Sequence, residues 1–343
     1  VYAAPVITAQ PTGATYCQNI AATALSVTAS AGGLGTPTYQ WYSNTTNSNT
    51  GGTLLTGATS STYTPSTSSV GTTYYYVAIN NGGGAAGCSI LASNAVAIVV
   101  NDLPVINAIS LATQTLCLNA TPTNLSVTAS TATGTISSTG YQWYSNNTSS
   151  TSGATLLAGA NTNTYTPLTN VAGTKYYYAV ITNSFNCTTT TTVSGAIIVN
   201  QLPSITAQPS ISSQTKCLNQ AFTSLSVGAS AGSGSILKYE WYSNTTNSNT
   251  GGTLVATNTS SSLTDSYTPV STSAGVLYYY VIVYNTNGCQ IVSNVSAPFT
   301  VNDLPSISVQ PSNTNQTACL NTVTTDLTVN ASAGSGNIST YTW

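Results

Sequence analysis

The sequence predicts an all-β chain, a tandem array of seven-stranded β-sandwiches, on three observations. The stretch Trp41 to Leu54, WYSNTTNSNTGGTL, returns unchanged as Trp241 to Leu254, and a looser copy, YQWYSNNTSSTSGATLL, lies between them at Tyr141 to Leu157. These copies set a period of about 100 residues. Each of the four tryptophans, Trp41, Trp143, Trp241 and Trp343, stands two places after a tyrosine, which marks one inward-facing Tyr-x-Trp strand per period. Apolar residues alternate in short runs, with no helical periodicity.

The expected partition is residues 1–102, 103–201 and 202–303 as complete repeats, and 304–343 as the first part of a fourth. Repeats meet at Leu103-Pro104, Leu202-Pro203 and Leu304-Pro305, with Pro5 in the matching place of the first. Proline fixes φ and withdraws a donor, which suits a short, stiff link between one repeat's last strand and the next one's first. A chain that stops at Trp343, inside its own core strand, and contains no Met reads as a segment of a longer protein.

In the first repeat the expected strands are Val6 to Gln10, Leu25 to Ala31, Thr38 to Ser43, Thr53 to Thr56, Ser61 to Thr64, Thr73 to Asn80 and Asn94 to Val100, with Gly, Pro and Asn at the breaks. Leu25, Val27 and Ala29 share one face, and Tyr39 and Trp41 point inward from the third strand. Seven short strands per repeat is the count of a two-sheet sandwich.

Composition removes several functions. Only 2% of residues are charged, the three cations being Lys175, Lys216 and Lys238, with no His. Nucleic-acid binding needs Lys and Arg to displace counterions from phosphates, so that class is excluded. No apolar run approaches the roughly 18 residues that span a bilayer. Catalysis needs a base or a metal in a repeated position, and none recurs; the sequence predicts no catalytic residue, no metal and no cofactor. Glu240 and Asp265 occur together only in the third repeat and read as solvated surface carboxylates. Asp102 and Asp303 sit at two junctions where calcium would stiffen a rod, but the equivalent junction carries Gln201 and the carboxylates are too few. Lys–Asn cross-links fail because the lysines occupy unlike positions.

The strand pattern resembles an immunoglobulin-type domain, whose second strand reads Leu-x-Cys-x-Ala, whose Trp follows some way on, and whose sixth strand reads Tyr-x-Cys-x-Ala-x-Asn. Here these are Leu25-x-Val27-x-Ala29, Trp41, and Tyr75-x-Val77-x-Ile79-x-Asn81, then Tyr177-x-Ala179-x-Ile181-x-Asn183 and Tyr279-x-Val281-x-Val283-x-Asn285. Small apolar residues replace the usual inter-sheet disulfide. The added motifs, Cys-x-Asn before the second strand, YQWYSN, YYYV and an Asn-rich Cys hairpin, resemble the Ig-like repeats of giant Bacteroidetes surface proteins, including the SprB-type gliding adhesins exported by type IX secretion. That resemblance implies an extracellular, cell-surface stalk or adhesin.

The cysteines recur as Cys17 and Cys88, Cys117 and Cys187, Cys217 and Cys289, with Cys319 left over. One pair per repeat reads as an intradomain disulfide in an oxidising compartment, each worth roughly 4 kcal/mol in the chain-entropy model. Free buried thiols are the alternative, since spacing does not report Cα separation. Tyr42 with Tyr74 and Tyr76, Tyr144 with Tyr176 and Tyr178, and Tyr242 with Tyr278 and Tyr280 are expected to face outward from neighbouring strands. Such a stripe would bind surface polysaccharide, contact other copies of the chain, or only stiffen the sheet. The readings left open are a stalk or adhesin, a carbohydrate-binding array, and spacers of a secreted enzyme.

Overall fold

The structure, a computed structural model, describes residues 3–31, 35–80 and 90–343. The described residues form strands and turns and no helix. They fall into two compact units: Val1–Gln114, Pro122–Pro167 and Thr174–Ile197 make one, and Thr115–Thr121, Leu168–Gly173 and Ile198–Trp343 the other.

The first repeat shows how the chain builds a sandwich. Its strands are β1 (Val6–Ala9), β2 (Ala14–Cys17), β3 (Leu25–Ser26), β4 (Thr28–Ser30), β5 (Thr38–Asn44), β6 (Thr53–Leu54), β7 (Thr62–Tyr63), β8 (Gly71–Asn80), β9 (Leu91–Ala92) and β10 (Val96–Asn101). One layer holds the pairs β1–β4 and β3–β7; the other runs β2-β10-β8-β5-β6, with β9 also on β8. All pairings are antiparallel except β2 with β10, which is parallel and sets Cys17 opposite Asn101.

In the second repeat, Val105–Ser110, Leu125–Ser130 and Thr164–Tyr165 form one layer, and Tyr141–Asn146 lies between Thr155–Leu156 and Gly173–Thr182 in the facing one. The third repeats the order of the first, Gln214–Cys217, Phe299–Asn302, Gly275–Asn285, Ile236–Asn244, Thr253–Thr259, with its last three strands longer than their counterparts. After it, Ser306–Val309 pairs with Asn330–Ser332 with the same register shift as β1 and β4.

The core follows the expected register. Trp41 lies opposite Val77, and both are fully buried with Leu25, Val27, Tyr75, Ile79, Ile98 and Val100. Trp143 and Trp241 occupy the same place in their own clusters. Each indole stacks on a further tyrosine: Tyr63 at 6.0 Å, Tyr165 at 5.9 Å and Tyr267 at 5.9 Å. Those rings in turn meet Tyr75, Tyr177 and Tyr279. Burial, with the neighbouring phenol adding to it, pushes Tyr177 and Tyr279 up to about 12.

A buried indole N–H needs an acceptor. Trp41 donates to Ser60 O at 2.9 Å and Trp143 to Thr162 O at 2.9 Å, while Trp241 donates to Asp265 Oδ2 at 2.8 Å. Asp265 also accepts from Asn258, so it is a partner of the core, which corrects its reading as a solvated carboxylate. Glu240 is likewise engaged: Lys238 at 2.5 Å, the largest influence, holds its carboxyl below the usual range, with Tyr242 donating at 3.0 Å.

The turn that follows the first and third Trp strands, identical in sequence, is held by its own amides. Asn44 Nδ2 donates to Ser48 O and Thr50 O, its Oδ1 accepts from the Thr46 N–H, and Asn49 reaches Ser93 O at 3.0 Å. Asn244 and Asn249 repeat these bonds.

Candidate functional site: disulfide clasps between successive repeats

The chain's covalent chemistry is in its cysteines, and the strand order decides their partners. Because β2 runs parallel to β10, Cys17 lies at the end of the first repeat from which the chain leaves for the second; the Gln18 N–H continues the ladder to Asn101 O at 2.8 Å. The hairpin cysteines of the second and third repeats lie at the opposite end of their own repeats. In the third repeat Cys217 pairs with Asn302 and Gly275 with Val301, yet Cys289 follows the far end of the strand Gly275–Asn285. At about 3.3 Å per residue that strand separates the two by roughly 30 Å, far beyond what a disulfide spans.

The strand cysteines of the first and second repeats instead meet the hairpin cysteine of the next repeat. Cys17 is bonded to Cys187 with Cα atoms 5.5 Å apart, and Cys117 to Cys289 at 5.6 Å. The expected in-repeat pairs Cys117 with Cys187 and Cys217 with Cys289 are therefore corrected. Cys88 lies outside the described residues, and Cys17, its expected partner, is taken. Among the described residues Cys217 and Cys319 have no disulfide partner.

The hairpins are pinned by an asparagine four residues before the cysteine. Asn183 Oδ1 accepts from the Cys187 and Phe185 N–H groups, both at 3.0 Å, while its Nδ2 donates to Asp102 O at 3.0 Å in the junction. Asn285 accepts from Cys289 N–H at 2.9 Å and donates to Gln201 O and Ala231 O. Both asparagines, Cys187 and Cys289 are buried. A buried amide with all its bonds made fixes the hairpin cysteine against the junction backbone.

The junctions add their own polar locks. Asp102 is buried and accepts from the Thr131 hydroxyl at 2.8 Å, the Thr133 hydroxyl, and the Ala132 and Thr133 N–H groups. Burial raises its carboxyl, but these hydrogen bonds together outweigh it and hold the group below its ordinary value. At the next junction Gln201 N–H donates to Ser233 Oγ at 2.8 Å, and Gly232, at φ 69°, lets the turn close on Leu202, whose O would sit 2.1 Å from any Cβ there. The Cys-x-Asn motif has a backbone origin: Asn19, Asn119 and Asn219 all adopt φ near +64°, and their N–H groups bond Thr67 O, Thr169 O and Ser271 O.

The tyrosines are placed differently from the expected outward stripe. Tyr76, Tyr178 and Tyr280 are buried, and Tyr76 and Tyr280 accept from the Gly52 and Gly252 N–H groups of the covering turn at 3.1 Å each. Tyr178 donates to Thr151 O. Tyr42, Tyr144 and Tyr242 are half-buried and stack on them at 5.1, 5.0 and 5.1 Å, nearly parallel. Tyr74, Tyr176 and Tyr278 are half-buried on the same strands. Among the described residues no group of three His, Cys, Asp or Glu gathers as a metal site, and no helix is long and apolar enough to cross a membrane.

Fold and clasps together define an array of tandem Ig-like β-sandwiches with disulfides between them. The chain belongs to the family described as a domain of unknown function, DUF8696, whose model matches residues 7–102 and again 106–201. No curated protein matches it. Among solved structures it is similar to the I-band fragment I67-I69 from titin, at 11% identity and TM-score 0.48, covering 88% of this chain and 99% of that one. It is also similar to Drosophila OTK extracellular domains 3-5, at 14% identity and TM-score 0.34, covering 88% and 99%.

Proposed function

We propose that the chain is a length of extracellular stalk from a large cell-surface adhesin or filament, partitioned as residues 1–102, 103–201, 202–303 and the start of a fourth domain at 304–343. The observation that carries this reading is the pair of clasps, whose closed loops of 170 and 172 residues overlap. A disulfide within a domain stabilises that domain; one between neighbours resists bending and pulling at the joint. Two such bridges, each worth roughly 5 kcal/mol for loops of this length in the chain-entropy model, tie the first repeat to the second and the second to the third. Persistent disulfides suit an oxidising space outside the cytoplasm.

The motifs shared with the giant Bacteroidetes surface repeats support assigning the parent protein to the SprB-type gliding adhesins and its export to type IX secretion. The stalk carries an adhesive tip, and its partners are neighbouring repeats. The test is surface labelling of intact producing cells with antibody to residues 1–343, with thiol alkylation of the labelled protein. Surface signal with Cys17, Cys117, Cys187 and Cys289 protected from alkylation is expected. A protein reached only after lysis, with those thiols reactive, would sink the proposal.

A further inference from the structure

We infer that Cys217 is a third clasp site, the covalent acceptor for the hairpin cysteine of the Ig-like domain whose first strands are Ser306–Val309 and Asn330–Ser332. This rests on the stalk reading and extends its chemistry to a residue that has no partner among the described ones.

Cys217 occupies the setting of the two bonded strand cysteines. It ends a strand running parallel to Phe299–Asn302, opposite Asn302, as Cys17 lies opposite Asn101. The next N–H, of Leu218, bonds Asn302 O at 2.9 Å, as Leu118 bonds Asn200 O at 2.8 Å. The turn behind it has the same left-handed asparagine, Asn219 at φ 63°. Cys217 is half-buried, as are Cys17 and Cys117.

The junction that would present a partner is already built. Asp303 N–H donates to Ser335 Oγ at 2.8 Å, reproducing Gln201 with Ser233, and Gly334, at φ 68°, closes on Leu304 O as Gly232 closes on Leu202 O. In both formed clasps this junction is the anchor of the hairpin, through an asparagine donating to Asp102 O or Gln201 O. A domain docked through the same junction delivers its hairpin cysteine to Cys217. The two thiols lose two protons and two electrons to a disulfide oxidant, which becomes a dithiol, and one S–S bond forms.

The experiment continues the chain from Trp343 with residues 242–302 of the third repeat, so that the fourth domain carries its own copy of the Asn285-to-Cys289 hairpin. The protein is oxidised with glutathione disulfide, alkylated, digested without reductant and mapped by mass. The expected result is a cross-linked peptide joining Cys217 to the copied hairpin cysteine, and alkylation of that cysteine in the Cys217→Ser variant. Alkylated Cys217 in a chain that has formed both existing bridges and whose fourth domain resists protease overturns the inference alone. Absence of Cys17–Cys187 and Cys117–Cys289 overturns the clasp reading beneath it as well. If the added domain is digested, the same map of the protein as its own cells secrete it decides: Cys217 alkylated there, or bonded to Cys88, refutes the assignment.

Discussion

Overlapping loops make a mechanical prediction that separate loops do not. When the oxidised chain is pulled by its ends and fully unfolded, the tension path enters Cys17, crosses to Cys187, returns along the backbone to Cys117 and crosses to Cys289. It therefore uses about 70 residues where the free chain would use about 270, and at about 3.4 Å per residue the bridges hide roughly 200 residues, about 700 Å. Removing one bridge leaves a single loop of about 170 residues, so Cys187→Ser or Cys117→Ser should each lengthen the unfolded chain by only about 30 residues, about 100 Å. Removing both should lengthen it by roughly 700 Å, more than three times the sum of the single gains. Single-molecule force–extension of the oxidised variants reads these lengths directly. In-repeat bridges would give about 70 residues, about 240 Å, for either substitution and the same for the double. Additive or equal gains of that size would refute the clasp assignment.

Other outcomes follow from the junctions and the core. Trp143→Ala should cost about 3–5 kcal/mol, measured by denaturant unfolding, because the indole is fully buried and its N–H is bonded. Asp102 has a lowered carboxyl, so its contribution is present above the unfolded carboxylate value, near 4, and is lost as pH falls through the still lower folded one. Asp102→Asn should therefore flatten the acid limb of the stability–pH curve, and an unchanged limb would argue against the lock. Asn285→Ala should speed reduction of Cys117–Cys289 by dithiothreitol relative to Cys17–Cys187, followed by timed alkylation, because it frees the hairpin from Gln201 O and Ala231 O. Tyr76→Phe should cost about 1 kcal/mol through the lost acceptor for Gly52 N–H, visible as a lower unfolding midpoint.

The sandwich was legible in the sequence because its signals are local. Alternation in Leu25-x-Val27-x-Ala29 and in Tyr75-x-Val77-x-Ile79 depends only on which residues face inward, and the structure buries Leu25, Val27, Tyr75, Val77 and Ile79. The clasps were not legible, for a reason built into periodicity. If Cys117 and Cys187 keep a constant offset, so must Cys17 and Cys187; recurrence cannot distinguish a partner in the same repeat from one in the next. What decides is β2, a four-residue strand too short to announce itself, whose parallel pairing carries Cys17 to the exit end of its repeat. The same length problem hid the burial of Tyr76: alternation sends it away from Trp41's layer, but the turn that covers it lies on another strand. The asparagines Asn183 and Asn285 did stand out in the strand pattern. Their role as hairpin anchors depends on the carbonyls of the preceding junction, which no local motif reveals.

The crossed loops also bear on survival in a space rich in proteases. Every peptide bond from Cys17 to Cys289 lies inside at least one of the two rings, and those from Cys117 to Cys187 lie inside both. A cut after Lys175 falls within both rings, and cuts after Lys216 or Lys238 within the second. In each case the fragments stay tethered through a sulfur bridge. A nick between Cys17 and Cys289 that would sever an ordinary beads-on-a-string tether leaves this one continuous: proteolysis alone parts Cys17 from Cys289 only when all three segments, 17–117, 117–187 and 187–289, are cut, and with fewer cuts a bridge must be reduced as well.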